Sequence, residues 1–141
     1  MKKRQLNCKI LQHTEIVQDN FYLTLAWENA EALFRPGQFV EIETTKNTDP
    51  LLRRPFSIFD ATQNTITIAY KKIGKGTTEL SKRNVGESVS IIGPLGNFYP
   101  IHKIKSNQKI FIFGGGTGLA SVHYLAKCLD EKNLDYALIV G

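Results

Sequence analysis

The sequence predicts a mainly β protein in which an antiparallel barrel or sandwich of about six strands is followed by one β-α-β unit. Up to about residue 100, short segments of alternating polar and apolar residues are separated by turn formers, which is typical of antiparallel barrels and sandwiches. From Lys109 the pattern changes to a continuous apolar run, a glycine turn and a helical spacing, which is typical of α/β domains. We therefore divide the chain into a barrel domain, 1–100, a polar linker, 101–108, and the start of an α/β domain, 109–141.

The strands of the first domain follow from a period of two in their apolar residues. In the clearest case, Phe21, Leu23, Leu25 and Trp27 share one face, which we expect to be buried. Six strands are a plausible number for a small closed barrel. We predict them near 6–17, 21–27, 38–44, 56–59, 65–70 and 88–92.

A short helix is predicted from Thr77 to Arg83 inside the barrel domain. Gly76 and Thr77 suit a helix start, and Glu79 falls in the first turn, where the helix dipole favours an acidic residue. The amide groups at this start become relevant for anion binding below.

The β-α-β unit is predicted from the change of pattern after residue 108. A strand over 110–113 leads into a glycine turn and a helix from Thr117 to Lys132, and a second apolar strand covers 136–140. The apolar residues of the helix recur at a spacing that predicts one buried stripe, formed by Leu119, Val122, Leu125, Ala126 and Leu129.

Composition argues against several classes of protein. No apolar run approaches the roughly 20 residues of a membrane-spanning helix, and no apolar signal segment follows the basic start, so we expect a cytoplasmic protein without a membrane partner. The two cysteines, Cys8 and Cys128, are too far apart in sequence to indicate a disulfide framework or a metal site. The formal net charge of +5 comes without a basic recognition helix or interleaved aromatic residues, so we do not expect nucleic acid as a partner.

Three motifs carry residue types that suit a phosphorylated cofactor. The first is the glycine cluster between the predicted strand and helix of the β-α-β unit. Its backbone N–H groups lie at a helix start, where a pyrophosphate is favoured, but the spacing departs from GxGxxG, so a tight structural turn is an equally good interpretation. The cluster consists of Gly114, Gly115, Gly116, Thr117 and Gly118.

The second motif is Arg54, Pro55, Phe56 and Ser57 at the start of a predicted strand. An arginine can pair with a pyrophosphate through two hydrogen bonds, an aromatic ring can stack on a flat heterocycle, and a hydroxyl can donate to a ring nitrogen. These are the requirements of a flavin. The alternative is a buried edge strand with an incidental arginine.

The third motif extends from Tyr70 to Thr77. Tyr70 and Lys71 end a strand, and Gly76 and Thr77 open the predicted helix, so backbone amides there can face a phosphate. Taken separately, this segment is better explained as a lysine-rich hairpin loop on the surface.

The order of these motifs resembles the ferredoxin-reductase-like family of FAD- and NAD-binding oxidoreductases. Two further marks belong to the pattern, Pro36-Gly37-Gln38-Phe39 and Gly93-Pro94-Leu95-Gly96. Within that family, the doubled arginine of Leu51-Leu52-Arg53-Arg54-Pro55-Phe56-Ser57 is most similar to the electron-transfer subunits of NAD-linked dihydroorotate dehydrogenases. The resemblance covers essentially the whole chain.

The resemblance implies a six-stranded antiparallel Greek-key barrel that binds FAD, followed by a domain that receives NADH. It implies that Arg54 holds the FAD pyrophosphate, that Phe56 lies near the isoalloxazine ring system, that Pro55 belongs to the cofactor-binding residues, and that Ser57 hydrogen bonds to the reactive edge of the flavin. Tyr70 and Lys71 would line the cofactor, and Gly76 with Thr77 would offer helix amides to phosphate. The cluster Gly114, Gly115, Gly116, Thr117 and Gly118 would form the floor for the nicotinamide nucleotide.

The resemblance also implies an NADH-dependent flavoprotein subunit that passes electrons to a catalytic subunit, a dihydroorotate dehydrogenase of pyrimidine biosynthesis. Alternatives are the reductase component of another ferredoxin-, sulfide- or hydrogenase-linked complex, or a flavin-binding docking module without turnover. Relatives carry a 2Fe-2S cluster on a cysteine-rich segment that this sequence does not include, so we expect a truncated chain that holds FAD and no metal.

Overall fold

The computed structural model describes residues 3–45, 49–105 and 107–141. Seven strands and two short helices precede residue 100, and two strands and a longer helix follow it. The elements are β1 (Arg4–Val17), β2 (Asn20–Ala26), α1 (Ala30–Leu33), β3 (Phe39–Ile42), β4 (Arg54–Ser57), β5 (Asp60–Ala61), β6 (Thr65–Lys71), α2 (Lys75–Ser81), β7 (Ser88–Leu95), β8 (Ile110–Gly114), α3 (Leu119–Asp130) and β9 (Tyr136–Val140).

The first seven strands form one antiparallel sheet in the order β4-β3-β7-β1-β2-β6-β5. Its two outermost strands, β4 and β5, are separated in the chain only by Ile58 and Phe59. The Ile58 N–H donates to the carbonyl of Gln38 at 3.1 Å, and the Phe59 N–H donates to the carbonyl of Thr67 at 2.9 Å. One bent segment, 54–61, therefore pairs with β3 at one end and with β6 at the other. It curls the sheet on itself, and the described strands amount to the six that the sequence predicts.

The apolar faces of the strands fill the interior of this curled sheet. β2 and β6 alternate between buried and half-buried residues along their length. Leu23, Leu25, Ile66 and Ile68 are fully buried, and Trp27 packs edge-on against Phe34 with ring centroids 5.0 Å apart. The buried face predicted for the second strand, Phe21 to Trp27, is confirmed.

The helix α2 starts earlier than predicted, at Lys75 instead of Thr77. Gly74 takes the position before the helix, and the Thr77 hydroxyl accepts hydrogen bonds from the N–H groups of Ile73 at 3.0 Å and Gly74 at 3.1 Å. Thr77 is thus the third residue of the helix, from which its side chain reaches back to the preceding loop.

The predicted β-α-β unit is present after residue 109, with β8 and β9 parallel and Ile110 opposite Tyr136. The linker prediction, 101–108, contains a 3-10 turn at Ile101–Lys103. Its Ser106 lies outside the described residues, and the division into domains at this stretch stays a prediction.

The buried stripe predicted for α3 is correct except at its first residue. Val122, Leu125, Ala126 and Leu129 pack with Ile112 of β8, but Leu119 is 38% exposed. The helix has a second buried side that the prediction missed, because Tyr124 joins the apolar core of the barrel. A single apolar stripe at helical spacing does not reveal that a helix packs between two partners.

Candidate functional site

The start of α2 lies directly against Arg54 of β4. A Cβ atom on Gly76 would lie 3.1 Å from Cγ and 3.2 Å from Nε of Arg54, and 3.3 Å from the hydroxyl oxygen of Thr44. Glycine suits this close approach, because a Cβ atom here would require the Arg54 and Thr44 side chains to move by a few tenths of an ångström. Two of the predicted motifs, separated by about twenty residues of chain, are therefore brought together here.

Two polar side chains at this junction have hydrogen-bonding atoms without a partner among the described residues. The Arg54 guanidinium donates through Nη1 to the carbonyls of Leu52 at 3.1 Å and Arg53 at 3.3 Å, and it pairs with no carboxylate of the described residues. The Thr44 hydroxyl is buried and has no hydrogen-bond partner among the described residues. Sequence reasoning missed Thr44, since a threonine at a strand end carries no signal of such a position. We call Thr44, Arg54 and Gly76 the arginine cradle.

The neighbouring arginine has a different, structural task. Arg53 donates through Nη1 to the carbonyl of Ser90 at 2.7 Å, and through Nη2 to the Ser90 hydroxyl at 2.8 Å and to Glu43 at 3.1 Å. These contacts tie the segment before β4 to β7. The two arginines of the doubled pair thus differ: Arg53 is fixed to β7 and Glu43, whereas Nε and Nη2 of Arg54 have no partner among the described residues.

β4 also meets β6 at the predicted flavin motifs. The ring of Phe56 packs edge-on against the ring of Tyr70, with centroids 5.7 Å apart. Phe56 is buried, Pro55 is exposed, and Ser57 is half-buried. None of the described residues hydrogen bonds to the Ser57 hydroxyl.

Tyr70 lies mostly inside the barrel, where it is 6% exposed. Its burial raises the pKa of the phenol, so the hydroxyl stays protonated. His13 Nδ1 is 2.7 Å from the carbonyl of Arg83, to which it must donate, so in the neutral ring Nε2 accepts from the Tyr70 hydroxyl at 2.8 Å. His13 was not predicted, because it comes from a distant strand. Lys71, the next residue, is exposed.

The glycine turn between β8 and α3 has one packed side and one open side. A Cβ atom on Gly114 would lie 2.9 Å from Cγ2 of Val122, so this glycine allows the strand and helix to pack closely. Gly116 has a φ of +52°, which favours glycine, and Gly116 and Gly118 have nothing within 4 Å of where a Cβ would stand. Gly115 precedes Gly116, and Thr117 lies between Gly116 and Gly118. The turn leaves backbone open to an approaching ligand.

A cavity of about 310 Å³ joins this turn to the barrel. It is lined by Tyr70 and Lys71 on the barrel side and by Gly116 and Thr117 on the other, together with Tyr22 and Phe59. The structure thus brings the third motif and the glycine cluster together. A larger cleft of about 610 Å³, lined in part by Phe34, Phe98 and Tyr124, contains none of the predicted site residues.

Side chains of α3 contact the segment that follows Ser57. The His123 ring is stacked on the Phe59 ring with centroids 3.9 Å apart and planes at 9°, and His123 Nδ1 donates to the Phe59 carbonyl at 3.0 Å. Lys127 Nζ pairs with Asp60 Oδ1 at 2.7 Å and lies 3.4 Å from the carbonyl of Ala61. We call these four side chains, His123, Lys127, Phe59 and Asp60, the interlock. No local pattern of residues indicates these contacts.

The residues present suit a dinucleotide such as FAD. The arginine cradle offers a cation with free donors, an unpartnered buried hydroxyl and the amides of a helix start, which match a pyrophosphate. Phe56 and Tyr70 pack against each other in the barrel, and Ser57, whose hydroxyl has no hydrogen-bond partner among the described residues, follows Phe56 on the same strand. Among the described residues, no group of three or more His, Cys, Asp or Glu side chains could hold a metal ion, and no helix is long and apolar enough to cross a membrane.

Comparison with known proteins finds a matching family model and similar curated proteins, all of them oxidoreductase components. The family model described as oxidoreductase FAD-binding domain matches residues 7–99. The chain is 36% identical to the dihydroorotate dehydrogenase B (NAD(+)) electron transfer subunit of Geobacillus sp. (strain WCH70) and 33% identical to that of Shouchella clausii (strain KSM-K16). Each alignment covers 100% of this chain and 55% of the relative, so the chain spans about half the length of these curated relatives.

Solved structures of reductases share the fold. A structure of an NADH-dependent reduced ferredoxin-NADP oxidoreductase superposes with a TM-score of 0.81 at 28% identity, over 95% of this chain and 48% of that one. Phthalate dioxygenase reductase gives a TM-score of 0.80 at 19% identity, over 96% of this chain and 43% of the other.

Proposed function

The chain belongs to the family of oxidoreductase FAD-binding domains, and from this membership we propose that it binds FAD along β4, β6 and the start of α2 and serves NADH-dependent electron transfer. The observation that carries the proposal is the arginine cradle. An arginine whose Nε and Nη2 have no partner among the described residues, a close approach by Gly76 and a buried hydroxyl without a described partner meet at one helix start. Buried polar groups usually have a hydrogen-bond partner, so the Thr44 hydroxyl is open to a ligand.

In this proposal Arg54 pairs with the pyrophosphate, and the N–H groups of Gly76 and Thr77 face the same phosphates. Phe56 and Pro55 flank the ring system, Ser57 offers its hydroxyl to the ring edge, and Tyr70 and Lys71 border the ring from β6. FAD, when bound, supplies the hydride and electron chemistry. The chain's share is to hold the cofactor and to exclude water from one side of it.

The nicotinamide nucleotide of NADH is assigned to the glycine turn. Gly114, Gly115, Gly116, Thr117 and Gly118 would support it, since Gly116 and Gly118 border open space and Gly116 and Thr117 line the cavity shared with Tyr70 and Lys71. A nucleotide on this turn would lie next to a flavin bordered by β6.

The electron acceptor we favour is the catalytic subunit of a cytoplasmic dihydroorotate dehydrogenase, because relatives at 36% and 33% identity are named electron transfer subunits of dihydroorotate dehydrogenase B (NAD(+)). A 2Fe-2S cluster belongs to the complete electron-transfer path in this proposal, with ligands outside this chain. The reductase of another electron-transfer complex is the second candidate, supported by the likeness to ferredoxin-NADP oxidoreductase.

Titration with FAD and with FMN tests the proposal. We expect a yellow complex with FAD and weaker binding of FMN, because FMN lacks the pyrophosphate. Arg54→Ala should weaken FAD by about 2 kcal/mol, roughly thirtyfold, as loss of one partner of a desolvated charge pair does. The matched control is Arg4→Ala, which removes an exposed arginine at the start of β1. A colourless protein after FAD titration, or equal affinities of the two variants, would contradict the proposal.

A further inference from the structure

The interlock connects the two halves of the proposed site over very short lengths of chain. Phe59 and Asp60 follow Ser57 by two and three residues, and β4, which carries the flavin motif, runs directly into them. On the other side, α3 begins just after Gly118, and His123 and Lys127 lie in its second and third turns. A displacement of the interlock therefore displaces both β4 and the glycine turn.

The contacts of the interlock are directional. A stacked ring pair at 3.9 Å, a hydrogen bond of 3.0 Å to a backbone carbonyl and an ion pair of 2.7 Å each fix a different direction. The Lys127 and Asp60 side chains are only 35% and 26% exposed. Burial by itself lowers the pKa of Lys127, but the hydrogen bond and charge of Asp60 outweigh it and the net pKa is raised, so the ammonium persists.

Phe59 joins this contact to the cavity. Its ring is flanked by His123 on one side and by Tyr22 of β2, with centroids 4.9 Å apart, on the other. Phe59 and Tyr22 line the cavity with Gly116 and Thr117. Helix α3, which follows the glycine turn, thus holds the cavity wall that contains Phe59.

We propose that the interlock sets the distance between the glycine turn and the flavin strand β4, so that His123 and Lys127 are positioning residues for the nicotinamide step. This inference rests on the proposed function. Transfer between two bound rings requires reacting atoms about 3–3.5 Å apart, and a misplacement of about 1 Å can cost roughly a hundredfold in rate. A helix that two of its side chains fix to the segment following β4 can hold the glycine turn with this precision.

Hydrogen exchange of the chain with and without FAD tests the inference. In the unaltered chain, FAD should slow amide exchange in 54–61 and also in 114–119, because the two segments are held together. In His123→Leu/Lys127→Met, FAD should still protect 54–61 with an affinity within about twofold of the unaltered chain, and more than about half of its protection of 114–119 should disappear. Lys127→Arg should retain the protection, since it keeps the charge.

The matched control is Lys82→Met, which removes an ion pair of the same length, 2.7 Å, between Lys82 and Glu79 within the barrel domain. A purely structural role would speed exchange throughout α3, with and without FAD, and would leave the FAD-dependent difference at 114–119 unchanged. That result, or no FAD-dependent protection of 114–119 in the unaltered chain, would overturn the inference. Should the double variant fail to fold, Lys127→Met carries the same comparison. Failure of the unaltered chain to bind FAD would instead overturn the proposed function.

Discussion

The barrel and the β-α-β unit bury their apolar residues to very different extents. In the barrel, the inward residues of β2 and β6 are buried because the sheet curls on itself. In the unit, β8 and β9 are covered by α3 on one face, and Phe111 and Phe113 are 61% and 70% exposed. The proposed site thus combines a strand fixed by a closed core with a turn whose place depends on one helix.

The largest effect that would sharpen this comparison is expected from truncation in the barrel core. Leu23→Ala removes a fully buried side chain and should lower the free energy of unfolding by about 2–5 kcal/mol. Phe113→Ala removes an exposed ring and should cost less than about 0.5 kcal/mol. Urea denaturation measures both. Similar losses in the two variants would mean that the outer face of β8 is covered in solution.

A smaller effect is expected where β8 meets α3. Gly114→Ala places a methyl group 2.9 Å from Val122 Cγ2 and should destabilise the unit by about 1–3 kcal/mol through overpacking. Gly118→Ala meets nothing within 4 Å and has an ordinary φ of −64°, so it serves as the control. Exchange of α3 amides reports the local loss. A barrel that loosens equally with the helix would show that the two regions unfold as one.

The smallest perturbation is chemical labelling of the two cysteines. Cys8 of the barrel is 3% exposed, and burial raises the pKa of its thiol to about 11. Burial also raises the pKa of Cys128 in α3, but this thiol is half-buried and reachable. At pH 8, iodoacetamide should therefore modify Cys128 first, and Cys8 should react only through opening of the barrel. Equal labelling rates would contradict the difference in burial between the barrel and α3. The variant Cys128→Ser identifies which thiol reacts faster.

Local patterns predicted most of the elements but few of the contacts between them. The alternation in β2 and the apolar run of β8 each define an element within a few residues, because burial repeats with the period of the backbone. The closing segment 54–61 was predicted only as a strand near 56–59, since its pairing with both β3 and β6 depends on residues far away in the chain. Thr44, His13 and the interlock have the same origin: ordinary residues become informative only once distant strands meet.

The second side of α3 illustrates the limit most clearly. Tyr124 and His123 interrupt the apolar spacing of the stripe, and on periodicity they belong to a solvated face. The structure buries Tyr124 in the barrel core and stacks His123 on Phe59. Their partners are about 64 and 90 residues away, so no local rule relates them.

The bent segment 54–61 is the seam of the barrel, because β3 and β6 are joined through it and the sheet order begins and ends there. Arg54, Phe56 and Ser57 lie on the same seam. A ligand bound by these residues holds the seam closed, so its binding raises the free energy of unfolding of the whole barrel. At a free concentration one hundred times the dissociation constant, this contribution is about 2.7 kcal/mol. The loaded chain would then open less readily than the empty chain, in which segment 54–61 is held to β3 and β6 by hydrogen bonds and core packing without a ligand.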